Sequence, residues 1–358
     1  MYAIKIHIAI FLCLLMGISH LDVTAQNSHA NDFTELNQTL IRNFANDFEF
    51  SVLVESHDTV LFSGHYGYIN KKKTRPVDSK TLFNIASITK SITSIGIMKL
   101  VEQHKINLTD QLNVFFGDVP ESMQSITVRT LLSHKSGFKQ TYPLTAISAS
   151  DAALDAIFAQ TLEFPPGTGF RYSNQNYQLL ALIIEQTTET TFEDYIRTNV
   201  LSPLLMEDTY FWDEVKAEDN IAPLIRSIAR RIGKRNWGFI GSTGIFTTTS
   251  DLSKFWKGIY KNGFVSKASL DTIFRPYYET SSGIQIGFGF FISPNAEWKT
   301  TELWTRGTES WGHNSVIRYF PEKQILIIVS TNSGEIENDS AKTGNRLISD
   351  LIAGYVLR

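Results

Sequence analysis

One cysteine is all the thiol this sequence has, and it is Cys13, within the first 25 residues. A chain processed after Ala25 would contain none, which excludes disulfides and thiol chemistry from the mature protein. Charge of one sign is lacking too: 33 Lys plus Arg stand against 36 Asp plus Glu, a formal net charge of -3. No basic run exceeds Lys71-Lys72-Lys73, so a phosphate-tracking surface and a nucleic-acid partner are not expected. No G-x-S-x-G elbow, H-E-x-x-H pair, Walker A loop or dinucleotide fingerprint occurs. Those absences remove the α/β-hydrolase, zinc-protease and nucleotide-binding signatures, and no metal or cofactor is expected. Prolines number only ten, with 42% apolar and 19% charged residues, a composition for a large core and not for a disordered chain.

The first residues have a different character. Lys5 precedes a run from Ile6 to Ile18 that is apolar apart from His7, and Val23-Thr24-Ala25 follows. This is the pattern of a secretory signal cut after Ala25. The run is shorter than the roughly 20 apolar residues of a membrane span. The expectation is a signal peptide over 1–25 and one exported domain over 26–358, secreted or periplasmic, with no membrane span after cleavage. Loss of Lys5 and Asp22 leaves the charge near -3.

The β-branched and aliphatic residues Val52, Val54, Val60 and Leu61 predict a hairpin from 48–55 and 59–68. A wide apolar face, with Ile88, Ile92, Ile95, Leu100 and Val101, predicts a largely buried helix over 87–104. Helices are expected at 128–133, 149–160, 176–187 and 251–261, and strands at 286–292, 315–320 and 325–331. A closing helix is expected over 339–356. Strands at both ends around a helical insert predict one sheet built from both termini, with a sheet lobe of about 33–107 plus 241–358 and a helical lobe of about 108–240.

Ser87-Ile88-Thr89-Lys90 opens the long helix as an S-x-x-K match. Residues three apart share a helical face, so Lys90 can reach the Ser87 hydroxyl and take its proton. The helix N-terminus adds partial positive charge for a developing oxyanion. The plainer reading is a helix cap beside a solvated lysine, and the match alone is weak: Ser136-Gly137-Phe138-Lys139 repeats it at a glycine turn. Tyr172-Ser173-Asn174 follows the breaker Pro165-Pro166-Gly167, on a loop of the kind that presents functional groups. A phenol there could shuttle a proton if nearby cations lowered its pKa. Tyr68-Ile69-Asn70 and Tyr260-Lys261-Asn262 repeat the Y-x-N pattern and read as element ends.

Taken together these segments resemble the serine β-lactamase and penicillin-binding-protein superfamily, in its branch of class C β-lactamases, D,D-carboxypeptidases and related esterases. The likeness spans nearly the whole mature chain. It runs through Thr81 to Lys90, Ile126 to Gly137, Phe164-Pro165-Pro166-Gly167 into Tyr172-Ser173-Asn174, and Gly241-Ser242-Thr243-Gly244-Ile245 to Leu252. The resemblance implies an α/β fold, an antiparallel sheet from both chain ends flanked by helices, with a helical lobe. It implies Ser87 as acylated nucleophile, Lys90 and Tyr172 as proton carriers, and Asn174 as the group orienting Lys90 and the substrate amide.

The third motif of the family, Lys or His then Thr or Ser then Gly, has two placements here. Gly312-His313-Asn314 offers His313 but puts Ser315 where the glycine belongs. A gap-free placement aligns Asn314 to Pro321 with the family's next strand and sets Arg306-Gly307-Thr308 at the motif; this is the preferred one. Arg306 would then supply the cation that holds a substrate carboxylate or biases Tyr172, with Thr308 beside it and the Glu309 backbone N–H as second oxyanion donor. Arginine keeps its proton and favours bidentate carboxylate contacts, which puts efficient β-lactam hydrolysis in doubt. Phe138, Tyr142, Trp304 and Trp311 are candidates for a cleft lining, though aromatics more often belong to a core. The resemblance implies an exported serine hydrolase with a peptide or small-molecule substrate, peptidoglycan-derived among the candidates. A D-alanyl peptide or an ester leads, a β-lactam is the alternative, and a non-catalytic binder of cell-wall peptide or a partner is the rival from another class.

Overall fold

The computed structural model describes residues 33–216, 218–224, 232–309, 312–336 and 339–358; the expected signal and Trp311 lie outside them. The chain begins with α1 (Phe33–Phe44), β1 (Phe50–Ser56), β2 (Thr59–Tyr66), β3 (Phe83–Asn84) and α2 (Ile88–Glu102). The middle supplies α3 (Val128–Leu132), α4 (Ser150–Phe158), α5 (Asn174–Thr188), α6 (Phe192–Ile196), β4 (Tyr210–Phe211), β5 (Ile245–Thr247), α7 (Thr249–Tyr260) and α8 (Lys267–Ile273). The remainder is mostly sheet: β6 (Tyr278–Glu279), β7 (Gln285–Ile286), β8 (Phe291–Asn295), β9 (Thr300–Thr308), β10 (Asn314–Phe320) and β11 (Ile325–Thr331). A short pair, β12 (Glu335–Ile336) and β13 (Asp339–Thr343), leads into α9 (Gly344–Val356).

The main sheet runs β2-β1-β11-β10-β9-β8-β7-β6, and its pairs are antiparallel. The first hairpin docks onto the last long strand, Val52 opposite Val329 and Leu53 opposite Ile328, so both chain ends build one sheet as expected. Its central strands are buried on both faces, and their side chains divide by parity. Val52, Val54, Val316, Ile327 and Val329 pack under α1 and α9 with Leu36, Leu40, Ile348 and Ile352. Leu53, Ile317, Leu326 and Ile328 face the other way, into the larger core with α2, α5 and α7. That is why these strands read as continuous apolar runs instead of alternating ones.

Two boundaries differ from the sequence reading. The run 286–292 is two strands, because Gly287 and Gly289 interrupt it: a Cβ on Gly287 would meet the Ile273 carbonyl oxygen at 2.3 Å. Residues 339–343 are strand, and the closing helix starts at Gly344. Helix α1 and strand β9 answer no element read from the sequence. Among the described residues no helix is long and apolar enough to cross a membrane.

Candidate active site

The short sheet β3-β5-β4 sets the geometry around Ser87. Asn84, its last residue on β3, is wholly buried; its Nδ2 donates to the Thr243 carbonyl at 3.1 Å and its Oδ1 accepts the Ala86 N–H at 2.9 Å. That side chain holds a tight turn in which Ala86 takes φ 45°, a left-handed conformation costly for a residue with a Cβ. Ser87 follows at the head of α2, and no described residue accepts its N–H.

Two side chains converge on the Ser87 hydroxyl. Tyr172 OH donates to Ser87 Oγ at 2.8 Å, and Lys90 Nζ lies 3.2 Å from the same oxygen. Lys90 is 2% exposed and its Nζ also donates to the Ser242 carbonyl at 3.0 Å. Burial pushes its pKa down to about 7, with Glu309 the opposing influence. An amine with a pKa there exchanges between its charged and neutral forms at physiological pH: Nζ donates to the Ser242 carbonyl and to Ser87 Oγ, and on losing a proton it can turn its lone pair to the Ser87 hydroxyl. Burial raises the Tyr172 pKa above its ordinary value in spite of the Ser87 hydrogen bond and Arg306. The expectation of a cation-acidified phenol is therefore corrected: Tyr172 stays protonated and acts as a donor.

His134 is the residue of this cluster to which the sequence reading gives no role. Its ring stacks on Tyr172 at 4.4 Å, and its Nδ1 lies 3.3 Å from the Ser173 N and 3.1 Å from Asn176 Nδ2. Burial and Lys90 push its pKa well below the ordinary value. Ser242, which the sequence offers only as part of a motif, supplies the carbonyl that fixes Lys90. Gly241 beside it must be glycine, since φ is 71° and a Cβ would meet the Tyr177 carbonyl oxygen at 2.4 Å. Ser136, of the second S-x-x-K match, packs inside the fold against Asn176 and the Phe138 N–H and is a structural part.

The structure separates the two placements of the third motif. Arg306 lines the Ser87 cleft with Lys90, His134, Tyr172 and Phe291. His313 is wholly buried beneath the turn: its Nδ1 accepts the Asn84 N–H at 2.8 Å and its Nε2 faces the Ala222 carbonyl at 3.0 Å. Burial lowers its pKa to about 4. It is a neutral strut and not a substrate contact, which corrects that assignment. Glu309 also departs from its expected part. Its N–H closes the turn after β9 onto the His313 carbonyl at 3.0 Å and Asn314 Oδ1 at 3.2 Å, so it does not face the cleft as an oxyanion donor. Thr308 ends β9 opposite Asn314, outside the residues that line the cleft.

Asn174 opens α5, and its N–H donates to Gln140 Oε1 at 2.8 Å. It does not bond Lys90; Ser242 does that instead. Its own side-chain amide has no hydrogen-bond partner among the described residues. Phe138 is core and Tyr142 is 71% exposed, whereas Trp304 stacks on Phe291 at the cleft wall, rings 4.4 Å apart.

A profile of the family described as Beta-lactamase matches residues 43–350. The chain belongs to the beta-lactamase family. Penicillin-binding protein 4* of Bacillus subtilis (strain 168) is 25% identical over 332 residues, 85% of this chain and 73% of that protein. Protein flp of Staphylococcus aureus (strain MW2) is 31% identical over 175 residues, 45% of this chain but only 34% of its own length. Among solved structures, the octameric penicillin-binding protein homologue from Pyrococcus abyssi matches with TM-score 0.74 at 24% identity, over 91% of this chain and 77% of that one. FmtA from Staphylococcus aureus matches with TM-score 0.74 at 21% identity, over 95% and 92%. These likenesses establish the β-lactamase/transpeptidase-like fold. In this family member the Ser87-Lys90-Tyr172 cluster is serine-hydrolase-like in arrangement.

Proposed function

We propose that the protein is an exported serine hydrolase that acylates Ser87, on an amide or ester of the D-alanyl peptide type. One observation carries the reading: the Ser87 hydroxyl receives Tyr172 OH at 2.8 Å and lies 3.2 Å from a buried amine whose pKa is about 7. A neutral Lys90 takes the Ser87 proton as Oγ bonds to the substrate carbonyl carbon. The Ser87 N–H stabilises the resulting oxyanion, a contact worth about 3–4 kcal/mol in such sites. The bond to the leaving group then breaks, and that group takes the proton back from Lys90 by way of the Tyr172 hydroxyl. Water cleaves the acyl-enzyme through the same relay.

The substrate class follows from Arg306 and Asn174. Arg306 lines the cleft with no carboxylate within ion-pair distance among the described residues, so it suits a carboxylate on the leaving group. Asn174 keeps an unused amide for the substrate amide. The likeness to penicillin-binding protein 4* supports a peptide substrate, and the N-terminal pattern supports export.

Intact-protein mass spectrometry with a penicillin and with a small activated ester tests the proposal. A mass gain that Ser87→Ala abolishes is expected. A penicillin adduct lasting hours marks a peptidase, one that decays as penicillin is consumed marks a β-lactamase, and an adduct with the ester alone marks an esterase. No adduct with either probe overturns the hydrolase reading in favour of a binding protein.

A further inference from the structure

A series of rings runs from an exposed strand edge to the nucleophile. Tyr278 on β6 stacks face to face on Phe170, centroids 4.4 Å apart and planes 6° from parallel. Phe170 meets the His134 ring edge-on at 6.1 Å and 80°. His134 in turn stacks on Tyr172 at 4.4 Å, and Tyr172 OH donates to Ser87 Oγ at 2.8 Å. Stacked and edge-to-face pairs are the arrangements that aromatic quadrupoles favour.

The series joins distant parts of the chain. Phe170 lies between α4 and α5, where residues 159–173 belong to no helix or strand. Tyr278 belongs to the two-residue strand that ends the main sheet, and it is 39% exposed. An exposed ring by itself carries no function, but this one stands on an anchored strand. The preceding Tyr277 stacks on the wholly buried Phe288 at 4.2 Å and 8°, and its OH donates to the Thr272 carbonyl at 3.1 Å. Across the ladder Tyr278 pairs with Ile286, which lines the Ser87 cleft. A fixed edge thus offers one flat face, and Phe170 rests on it two residues before Tyr172.

Tyr172 needs that support because its hydrogen bond is temporary. The bond to Ser87 Oγ is given up as that oxygen attacks the substrate carbon, which is when the phenol must reach the leaving group. The ring is then held by the His134 face and by the Lys90 amine, 5.0 Å from its centre. His134 is fixed on one side by Tyr177 at 5.1 Å and by Asn176. Toward the loop it leans on Phe170, which is half-buried and backed by Tyr278.

We infer that Tyr278 is a positioning residue for proton transfer at Ser87, holding the Tyr172 loop and ring in place through Phe170 and His134. The inference rests on the Ser87 acyl-transfer reading. The flat ring gives the support, so the Tyr278 hydroxyl is dispensable.

Two esters with one acyl group and different leaving groups test it. A nitrophenolate leaves without a proton, whereas a simple alkoxide must take one from Tyr172 as the phenol takes one from Lys90. Their kcat/KM values cover the steps through acylation, and the ratio of the two is unaffected by any loss of folded protein. Tyr278→Ala should lower kcat/KM by about tenfold for the alkyl ester and by about twofold or less for the nitrophenyl ester. Phe170→Ala should give the same pattern, and the double variant should be no worse than Phe170→Ala, since the two rings act as one unit. Tyr278→Phe should keep both rates, and Tyr278→Leu, apolar but not flat, should not. Equal losses on the two esters, no loss, or additive losses in the double variant would make Tyr278 a surface contact only and overturn the inference, with Ser87 still the nucleophile. A native protein acylated by neither ester overturns the Ser87 reading itself, and the positioning role with it.

Discussion

Gly307 on β9 and Ser87 at the head of α2 are in backbone contact: a Cβ on Gly307 would lie 2.6 Å from the Ser87 nitrogen and 2.0 Å from the Ile85 carbonyl oxygen. Glycine is what lets the strand run past the nucleophile turn while leaving the Ser87 N–H uncovered.

Gly307→Ala should therefore push the strand off that turn. Acylation by an activated ester is expected to fall by about 100-fold or more, the usual effect of losing an oxyanion donor. The overpacking should cost about 1–3 kcal/mol of stability. Stopped-flow acylation and urea unfolding measure the two effects, and unchanged acylation would show that Gly307 does not shape the oxyanion site.

Lys90 sets a pH limb. Its folded pKa is lowered to about 7, so the neutral base is present above that value and is lost as pH falls through it. Acylation should be flat in mild alkali and decline about tenfold per unit well below pH 7. Lys90→Arg keeps a permanent charge and should lower acylation by about 100-fold or more at every pH. A limb at pH 7 that survives in Lys90→Arg would assign the base elsewhere.

What is legible in the sequence, and what is not, divides by range. Ser87 and Lys90 share one helix face, so three residues of spacing suffice to pair them. Tyr172 stands out by its loop and its motif, 85 positions away, but its protonation state does not, because burial is a property of the packed neighbours. The sheet from both termini can be read because its central strands are continuous apolar runs. Strand β9 cannot: Thr300-Thr301-Glu302-Leu303-Trp304-Thr305-Arg306 mixes charged residues with core residues, so its pattern resembles neither class of strand. His313 misleads for a related reason. A histidine beside a family-like glycine looks functional until its partners, Asn84 and Ala222, come from distant parts of the chain.

Two buried histidines should make the protein acid-labile. His313 has its pKa lowered to about 4 and His134 is lowered well below its ordinary value, both mainly by burial. An unfolded histidine takes up a proton near pH 6.5 while these stay neutral in the fold, so protons favour the unfolded chain. Stability should fall as pH drops from about 6.5 toward 4, with about 3 kcal/mol at stake for His313 alone. Urea midpoints at pH 7.5 and pH 5 measure the loss, and His313→Gln should show a shallower decline. An equal slope in that variant would place the acid sensitivity in other groups.

Arg318 ties β10 to its neighbours. Its Nε and Nη2 meet both oxygens of Glu302 at 2.6 and 3.1 Å, and its Nη1 meets Asp350 on α9 at 2.6 Å. Both Arg318 and Glu302 are nearly buried, at 7% and 8% exposed. Removing one partner strands a charge, so Arg318→Ala should cost about 3–5 kcal/mol. Replacing both, as Arg318→Met with Glu302→Leu, should recover most of that loss, because desolvation offsets much of the pair's attraction. Urea unfolding of the single and double variants separates the cases. Recovery would mean that the pair serves position more than stability, tying β10 to Glu302 on β9 and Asp350 on α9. A double variant as unstable as the single one would instead assign the cost to lost packing of the arginine stem.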